Sequence, residues 1–279
     1  METNLTVIIL TYNEEENITY ALENVTKWAK KTYVLDSYST DKTTQIAREY
    51  TPDIFYRKFD NYANQRNYAL KELTFSTEWI LFLDADEYLT PELKQEITEA
   101  LKKNDTCDGY YLKRRFIFMG KWIRHGGYYP VKLLRLFKRS KGWVEREINE
   151  QFVVEGKVGE LKYDFVDHNR KGISAWIEKH NRYSSMEADQ LIKFSEKGDK
   201  EDSFGKLFGT MPQRKRWIRI HIWNKLLTPM TRPFVYFLYR YFFRMGFLDG
   251  KQGFIYFFLH SFNMVFLTGI KYIEKRDST

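Results

Sequence analysis

The chain has 279 residues, with 45 Lys and Arg against 37 Asp and Glu, and a formal net charge of +8 at pH 7. This length accommodates a substantial core, and the positive balance predicts an anionic partner such as a phosphorylated ligand, a nucleic acid or a membrane surface. Cys107 is the sole cysteine, which excludes an intrachain disulfide and a cysteine metal cluster. The chain enters an apolar run after Met1-Glu2-Thr3-Asn4 without a basic segment, so we expect no signal peptide.

The first hundred residues alternate between strand and helix patterns. Apolar runs predict strands at residues 6–10, 33–35, 54–56 and 79–83, and helical spacing predicts helices between them. Strands separated by helices of this length are typical of βαβ units in a mostly parallel sheet. Further strands are expected at residues 110–112, 133–137 and 151–154, and then a long helix at residues 175–194.

Beyond residue 205 the sequence becomes basic and rich in aromatic residues, and Asp249 is the single acid among residues 206–273. The apolar run Phe254–Leu267 is interrupted by His260 and Asn263, and it is shorter than the roughly 20 residues that span a bilayer. Cations interleaved with aromatic side chains favour the membrane interface over its interior. The alternative is that these helices form a second soluble core.

One apolar run, Trp79-Ile80-Leu81-Phe82-Leu83, ends in the acidic sequence Asp84-Ala85-Asp86-Glu87. Unpaired carboxylates are costly to bury, so Asp84 and Asp86 are expected where the strand leaves the sheet and meets a cation. Ligands of open α/β sheets bind at this edge. Side chains two residues apart share one face of an extended segment, so this pair of carboxylates is suited to a divalent ion.

Two further turns carry polar residues directly after predicted strands, Thr11-Tyr12-Asn13-Glu14 and Asp36-Ser37-Tyr38-Ser39-Thr40-Asp41. Each has an ordinary structural interpretation, because Asn, Asp and Glu often cap helices or stabilise turns. The carboxyl ends of parallel strands, however, lie at one edge of a sheet. The joint placement therefore favours a single pocket.

Four strings of the sequence together resemble glycosyltransferase family 2, a family of inverting enzymes with the nucleotide-binding GT-A fold. These strings are Ile9-Leu10-Thr11-Tyr12-Asn13-Glu14-Glu15, Leu35-Asp36-Ser37-Tyr38-Ser39-Thr40-Asp41-Lys42-Thr43, Asn64-Gln65-Arg66-Asn67-Tyr68-Ala69-Leu70 and Leu83-Asp84-Ala85-Asp86-Glu87. Residues 124–130, 134–139, 149–151, 167–168 and 246–250 look like the lipopolysaccharide-core β-glucosyltransferase branch of that family. One departure is Asn149, where relatives commonly have His.

The resemblance implies a role for several residues in binding the donor. Thr11, Tyr12 and Glu14 would line the nucleotide pocket. Asp36 would accept a hydrogen bond from the base, and Arg66 would approach the diphosphate. The implied donor is a nucleotide diphosphate sugar with UDP as the expected nucleotide, and the sugar transferred is a hexose.

The resemblance also implies a metal and leaves a general base to be found. Asp84 would face the ribose or the metal, and Asp86 would ligate Mg²⁺ or Mn²⁺ through the diphosphate. Inversion by direct displacement needs one base to take the proton of the acceptor hydroxyl. We predict Glu150 for this role, with Glu147 in reserve; the alternative is a surface residue in an acidic stretch.

Three other residues are weaker candidates for the acceptor site. Arg124 and His125 precede two glycines and are candidates for a mobile lid over phosphates, although a plain surface loop is also possible. His168 is a candidate metal or phosphate ligand, or a structural residue. The expected acceptor is a hydroxyl of a lipopolysaccharide core or of another glycolipid.

These expectations combine into a Rossmann-like GT-A domain of class α/β over residues 1–170, with a helical membrane-associating extension over residues 171–279. The protein would be cytoplasmic and peripheral at an anionic surface, the inner face of the cytoplasmic membrane. A polyprenyl-phosphate glycosyltransferase is the enzymatic alternative, and basic strings such as Arg214-Lys215-Arg216 suit a phosphate acceptor. The other alternative is a non-catalytic, basic membrane-binding protein. A nucleic-acid partner is not expected, because the basic clusters alternate with bulky aliphatic residues and match no RNA- or DNA-binding motif.

Overall fold

A computed structural model describes residues 2–102, 106–145, 151–197 and 227–277. The chain divides into two compact units. The first comprises Met1–Trp122 and Tyr128–Lys171, and the second comprises Ile123–Gly127 and Gly172–Thr279. The short segment Ile123–Gly127 therefore belongs with the second unit, although the chain on either side of it belongs to the first.

The first unit is built on one mixed sheet. Its strands are β1 (Thr3–Thr11), β2 (Ala29–Asp36), β3 (Ile54–Tyr56), β4 (Trp79–Asp84), β5 (Glu87–Leu89), β6 (Gly109–Phe118), β7 (Lys121–Trp122), β8 (Val131–Lys138) and β11 (Val158–Asp167). The strand order is β3-β2-β1-β4-β8-β6-β11-β5, with β7 paired to β6. Strands β3, β2, β1 and β4 are parallel, whereas β8 runs antiparallel to both of its neighbours. A separate antiparallel pair consists of β9 (Gly142–Glu145) and β10 (Gln151–Val154). The expected α/β class with a mostly parallel core is confirmed.

Three helices connect the parallel strands β1 to β4, namely α1 (Ile18–Val25), α2 (Thr43–Arg48) and α3 (Tyr62–Glu72), and a fourth, α4 (Pro91–Lys102), connects β5 to β6. Helix α3 begins after Asn61, whose side chain accepts a hydrogen bond from the Asn64 backbone N–H at 2.8 Å. Helix α4 begins with Pro91, a residue whose fixed φ and missing N–H suit the first turn of a helix.

The sheet separates two hydrophobic clusters. Alternation along β1 sends Val7 and Ile9 to one cluster and Ile8 to the other, and along β4 it separates Leu81 from Phe82 in the same way. Strand β4 is apolar from Trp79 to Leu83, as expected of a strand that is covered on both faces. Its first polar side chain, Asp84, therefore comes at the carboxyl end of the strand.

The second unit is helical. Its described elements are α5 (Gly172–Lys197), α6 (Arg232–Leu238), a π turn (Tyr239–Phe243), a 3₁₀ turn (Gly246–Asp249), α7 (Gly250–Leu259), a π turn (His260–Val265) and α8 (Phe266–Asp277). Helix α8 packs on α5, where the Lys271 ammonium donates to the side chains of Asn181, Ser184 and Ser185.

The apolar C-terminal run is longer in the structure than the sequence indicated. His260 and Asn263 do not end the helix, because a π turn carries it from α7 into α8. The helical segment Gly246–Asp277 has 32 residues and a mean hydropathy of 1.5 in its most apolar window, a third of which is buried. By length and composition alone, this segment is sufficient to cross a membrane.

Candidate nucleotide and metal site

The turns after β1 and β2 are connected by hydrogen bonds. The Asn13 backbone N–H donates to Ser39 Oγ at 2.8 Å, and the Thr40 backbone N–H donates to Asn13 Oδ1 at 2.8 Å. The Glu14 backbone N–H donates to Thr43 Oγ1 at 2.7 Å. Short polar side chains that bond to a neighbouring backbone fix turn geometry. The two turns therefore form one continuous wall.

Asp36 lies in this wall and is fully buried. Its carboxylate accepts hydrogen bonds from both the backbone N–H and the hydroxyl of Ser39. Each carboxylate oxygen has two lone pairs, so these bonds leave capacity for a further donor. Tyr12 and Tyr38 beside it are 49% and 58% exposed, and Thr11 Oγ1 is buried without a hydrogen-bond partner in the described part of the chain. The edge thus combines accessible aromatic faces with unused hydrogen-bonding capacity.

Two buried arginines bond to Asp84, the last residue of β4. Arg66 Nη2 donates to Asp84 Oδ1 at 2.8 Å, and Arg135 Nη2 donates to Asp84 Oδ2 at 3.1 Å. Arg135 also lies 3.4 Å from Glu87 Oε1. Burial raises the pKa of Glu87 to about 8, with Asp84 adding to the shift and Arg135 opposing it. Both oxygens of Asp84 are therefore directed at cations of the protein itself.

Asp86 is held differently. Its Oδ2 accepts a hydrogen bond from Asn169 Nδ2 at 3.1 Å, and its carbonyl accepts one from the His168 backbone N–H at 2.9 Å. Among the residues that the structure describes, no Lys or Arg forms an ion pair with Asp86. The pKa of Glu14 is raised by burial and then by the charge of Asp86, although Lys171 Nζ lies 2.6 Å from Glu14. Asp86 is thus an uncompensated negative charge that acts on its neighbours.

The described residues contain no group of three or more His, Cys, Asp and Glu side chains arranged to hold a metal ion. Mg²⁺, however, is commonly bound by one or two carboxylates together with phosphate oxygens and water. The donor set at Asp86 fits such an ion, provided that a bound ligand supplies the remaining oxygens. The pKa of His168 is lowered, chiefly by burial and then by Arg170, which favours the neutral imidazole that metals require.

Two predicted site residues are fastened within the second unit. Arg124 and His125 belong to the second unit, where the His125 backbone N–H donates to Asp249 Oδ2 at 2.9 Å. His125 Nδ1 lies 2.8 Å from Asp249 Oδ1, and Arg240 donates to the Gly126 carbonyl at 2.6 Å. This loop is therefore fastened to other residues of its own unit. Glu150 and Glu147 lie outside the described residues.

Four members of the site were not predicted from the sequence, namely Glu87, Arg135, Asn169 and Lys171. Arg135 carried a usable signal, because it is the one charge in the apolar run Leu133-Leu134-Arg135-Leu136-Phe137. A buried arginine requires carboxylate partners, and the acidic end of another strand provides them. Asn169 and Lys171 follow β11 and reach Asp86 and Glu14 only through the fold.

The sequence profile described as Glycosyl transferase family 2 matches residues 6–158. The chain belongs to this family and is a glycosyltransferase. It is therefore an enzyme, and the alternative of a non-catalytic membrane-binding protein is wrong.

Individual relatives extend the similarity along the chain. The chain is 29% identical over 270 residues to the lipopolysaccharide core biosynthesis glycosyltransferase LpsC of Rhizobium meliloti, covering 91% of this chain and 89% of LpsC. It is 27% identical over 208 residues to an uncharacterised glycosyltransferase of Rickettsia typhi, covering 69% of this chain and 70% of that protein. The mannosyltransferase PcManGT from Pyrobaculum calidifontis, solved with GDP-Man and Mn²⁺, superposes with a TM-score of 0.51 at 17% identity, covering 99% of this chain and 88% of that one. The fold is GT-A, as the sequence indicated.

The buried charge network leads to a stability prediction. Arg135→Leu removes the cation that opposes the raised pKa of Glu87, so at about pH 9, above that pKa of about 8, the ionised Glu87 is left buried without a partner and we expect a loss of roughly 3–5 kcal/mol in the free energy of unfolding. Urea denaturation measures this loss. Glu87→Gln in the same background removes the uncompensated charge and should restore part of the stability. If the double variant is as unstable as the single one, Glu87 is not the group that Arg135 balances.

Proposed function

We propose that this glycosyltransferase transfers a sugar, with inversion, from a UDP-linked donor to a hydroxyl of a lipopolysaccharide core or of a related glycolipid. The donor and acceptor chemistry is assigned to residues 1–170, and membrane association to residues 171–279. The similarity to LpsC over most of both chains supports the acceptor class. The cytoplasmic leaflet of the inner membrane is the surface at which such an acceptor is met.

The proposal rests on the different surroundings of two carboxylates, Asp84 at the end of β4 and Asp86 in the turn that follows. Asp84 is neutralised by Arg66 and Arg135, whereas Asp86 is left without a cation among the described residues. A bare carboxylate at the ligand edge of an α/β sheet attracts a divalent ion. We therefore assign the metal to Asp86 and a donor-positioning role, through the ribose, to Asp84.

A divalent ion, Mg²⁺ or Mn²⁺, supplies Lewis-acid stabilisation of the negative charge that develops on a departing nucleoside diphosphate. Asp86 would hold it, with His168 as a second candidate donor. We assign Arg66 to the diphosphate side of the site, where, buried and bonded to Asp84, it holds that carboxylate in position.

The nucleotide is assigned to the wall formed by the turns after β1 and β2. The exposed ring of Tyr12 offers a stacking face for the base, and Thr11 and Asp36 offer hydrogen bonds. Glu14 lines the same pocket and is held in place by Lys171. This arrangement favours a base with an N–H donor directed at a carboxylate, as uracil has.

Proton transfer is assigned to Glu150, which directly precedes strand β10. The acceptor hydroxyl gives its proton to the Glu150 carboxylate while its oxygen forms a bond to the anomeric carbon. The bond between that carbon and the diphosphate oxygen breaks with its electron pair moving to the diphosphate. One such displacement inverts the configuration and leaves UDP and a protonated Glu150.

The metal assignment predicts the effect of Asp86→Asn. The fold should persist, turnover should be abolished, and thermal stabilisation by UDP should lose most of its dependence on Mn²⁺. Differential scanning fluorimetry with UDP, with and without Mn²⁺, measures this. Asp53→Asn, at an exposed salt bridge to Lys31, is the matched control. Full activity of the wild-type enzyme in EDTA would contradict the assignment.

The nucleobase assignment predicts that Asp36→Ala weakens UDP binding by roughly 1–3 kcal/mol, the cost of leaving a donor on the base unpaired. Isothermal titration calorimetry gives the binding free energy. Asp41→Ala removes another carboxylate of the same turn, one that bonds to Thr43, and serves as the control for turn structure. Equal losses in the two variants would leave Asp36 with a structural role only.

The base assignment predicts that Glu150→Gln binds UDP like the wild type but turns over about 10²–10⁴-fold more slowly. The amide keeps the size of the carboxylate and accepts no proton. Single-turnover transfer to a lipopolysaccharide-core acceptor, with UDP affinity measured in parallel, separates the two effects. If Glu147→Gln shows this pattern instead, the base is Glu147.

A further inference from the structure

The second unit carries a large group of exposed apolar side chains on α6, α7 and the turns between them. Phe243 is 79% exposed, and several other aromatic and aliphatic side chains nearby are about half exposed. We call the following set the apolar ridge: Phe234, Leu238, Phe242, Phe243, Phe254 and Phe258. Soluble proteins rarely leave so many large apolar groups in one contiguous patch without a partner.

The ridge is one continuous surface. Phe234, Leu238 and Phe242 are spaced four residues apart and so follow one side of the helical path. The ring of Phe237 lies 6.1 Å from Phe254 and 6.3 Å from Phe258, centroid to centroid, and thereby joins the two stretches. The residues form a helical hairpin whose outer side is apolar.

The exposed apolar surface ends within α7. Among the described residues, no large hydrophobic side chain beyond Phe258 is exposed. The rest of the helical segment packs on α5 through polar contacts, in which Lys271 bonds to Asn181 and Lys275 pairs with Asp189. Although the whole segment Gly246–Asp277 is long enough to cross a membrane, its large exposed apolar side chains end within α7, whose 10 residues extend about 15 Å, half of the roughly 30 Å of a bilayer core. The apolar ridge is therefore suited to enter one leaflet and not to cross the membrane.

The charges beside the ridge favour an anionic partner. Arg244 and Lys251 are exposed next to it. The one acid among residues 230–258 is Asp249, which is 2% exposed and bonded to His125, so it presents no charge to the outside. Exposed apolar side chains with two cations and no exposed acid beside them match the acyl boundary and the anionic headgroups of a lipid surface.

We propose that the apolar ridge inserts into the anionic leaflet as a monotopic wedge with Phe242 and Phe243 at its tip. The wedge deepens the membrane partnership of the proposed function and rests on it. The hydrophobic contribution to the free energy of membrane binding is then the larger one, and Arg244 and Lys251 add an electrostatic contribution. The enzyme is held at the depth where the headgroup of a lipid-linked acceptor lies.

Vesicle cosedimentation of the full chain tests the wedge. Phe242→Ser/Phe243→Ser should lower the partition coefficient for phosphatidylglycerol-containing vesicles about tenfold or more, and this loss should persist at high salt. Ile177→Ser removes an exposed apolar side chain of α5 and should bind like the wild type. Lys251→Glu should weaken binding at low salt only. Unchanged binding of the double variant would overturn the wedge.

Two further measurements distinguish other outcomes. A Phe243→Trp variant should be quenched by a lipid carrying its quencher near the headgroup; stronger quenching from the end of the acyl chain would overturn the wedge in favour of a span. A lipid-free dimer that the double variant breaks, without effect on vesicle binding, would assign the ridge to a second copy and also overturn it. Thermal stabilisation by UDP and Mn²⁺ should be equal in all variants, so a failure of the donor site is seen separately.

Discussion

The buried ion network at the end of β4 is the constraint on which the rest of the site depends. Arg66 from α3 and Arg135 from β8 are almost completely buried, and both meet Asp84. Two buried cations are tolerated only with carboxylates at hydrogen-bonding distance, so α3, β4 and β8 must come together in one arrangement. Glu87 extends the network by accepting the Asp84 backbone N–H at 2.9 Å. The turn over residues 84–87 is thereby fixed at both ends.

This fixed turn determines how the neighbouring carboxylates behave. Since Asp84 is neutralised within the protein, the free negative charge of the strand end resides at Asp86. That charge contributes to the raised pKa of both Glu14 and Glu87, which places three carboxylates in one electrostatic field. Lys171 offsets part of it at Glu14. A cation entering this field would relieve repulsion among groups that the fold holds together, and the proposed metal site depends on this relief.

The parallel strands and the acidic strand ends were predictable from local patterns. An uninterrupted apolar run such as residues 79–83 is consistent only with burial, and the first polar residue after it must lie at the edge. The partners of those carboxylates were not predictable, because Arg135 reaches Asp84 through the antiparallel insertion of β8 beside β4. Likewise, no local pattern indicates that Asn169, after β11, bonds to Asp86 from 83 residues away. Long-range pairing is a property of the tertiary fold and leaves only an isolated charge in an apolar run as its trace.

In the second unit, two stretches that are distant in the sequence contact each other. The string around His125-Gly126-Gly127 and the string around Asp249 meet through the His125 to Asp249 bonds. Gly126 has φ +65°, and a Cβ there would lie 2.0 Å from the ring of Phe257. Because glycine is required on one side and a buried carboxylate on the other, the loop between β7 and β8 and the start of α7 constrain each other. Arg240 bonds to Gly126 and lies between Leu238 and Phe242 in the chain, so the loop is fastened to the segment that carries the apolar ridge. Under the proposed insertion of the ridge, a lipid surface that restrains the ridge would restrain the loop as well.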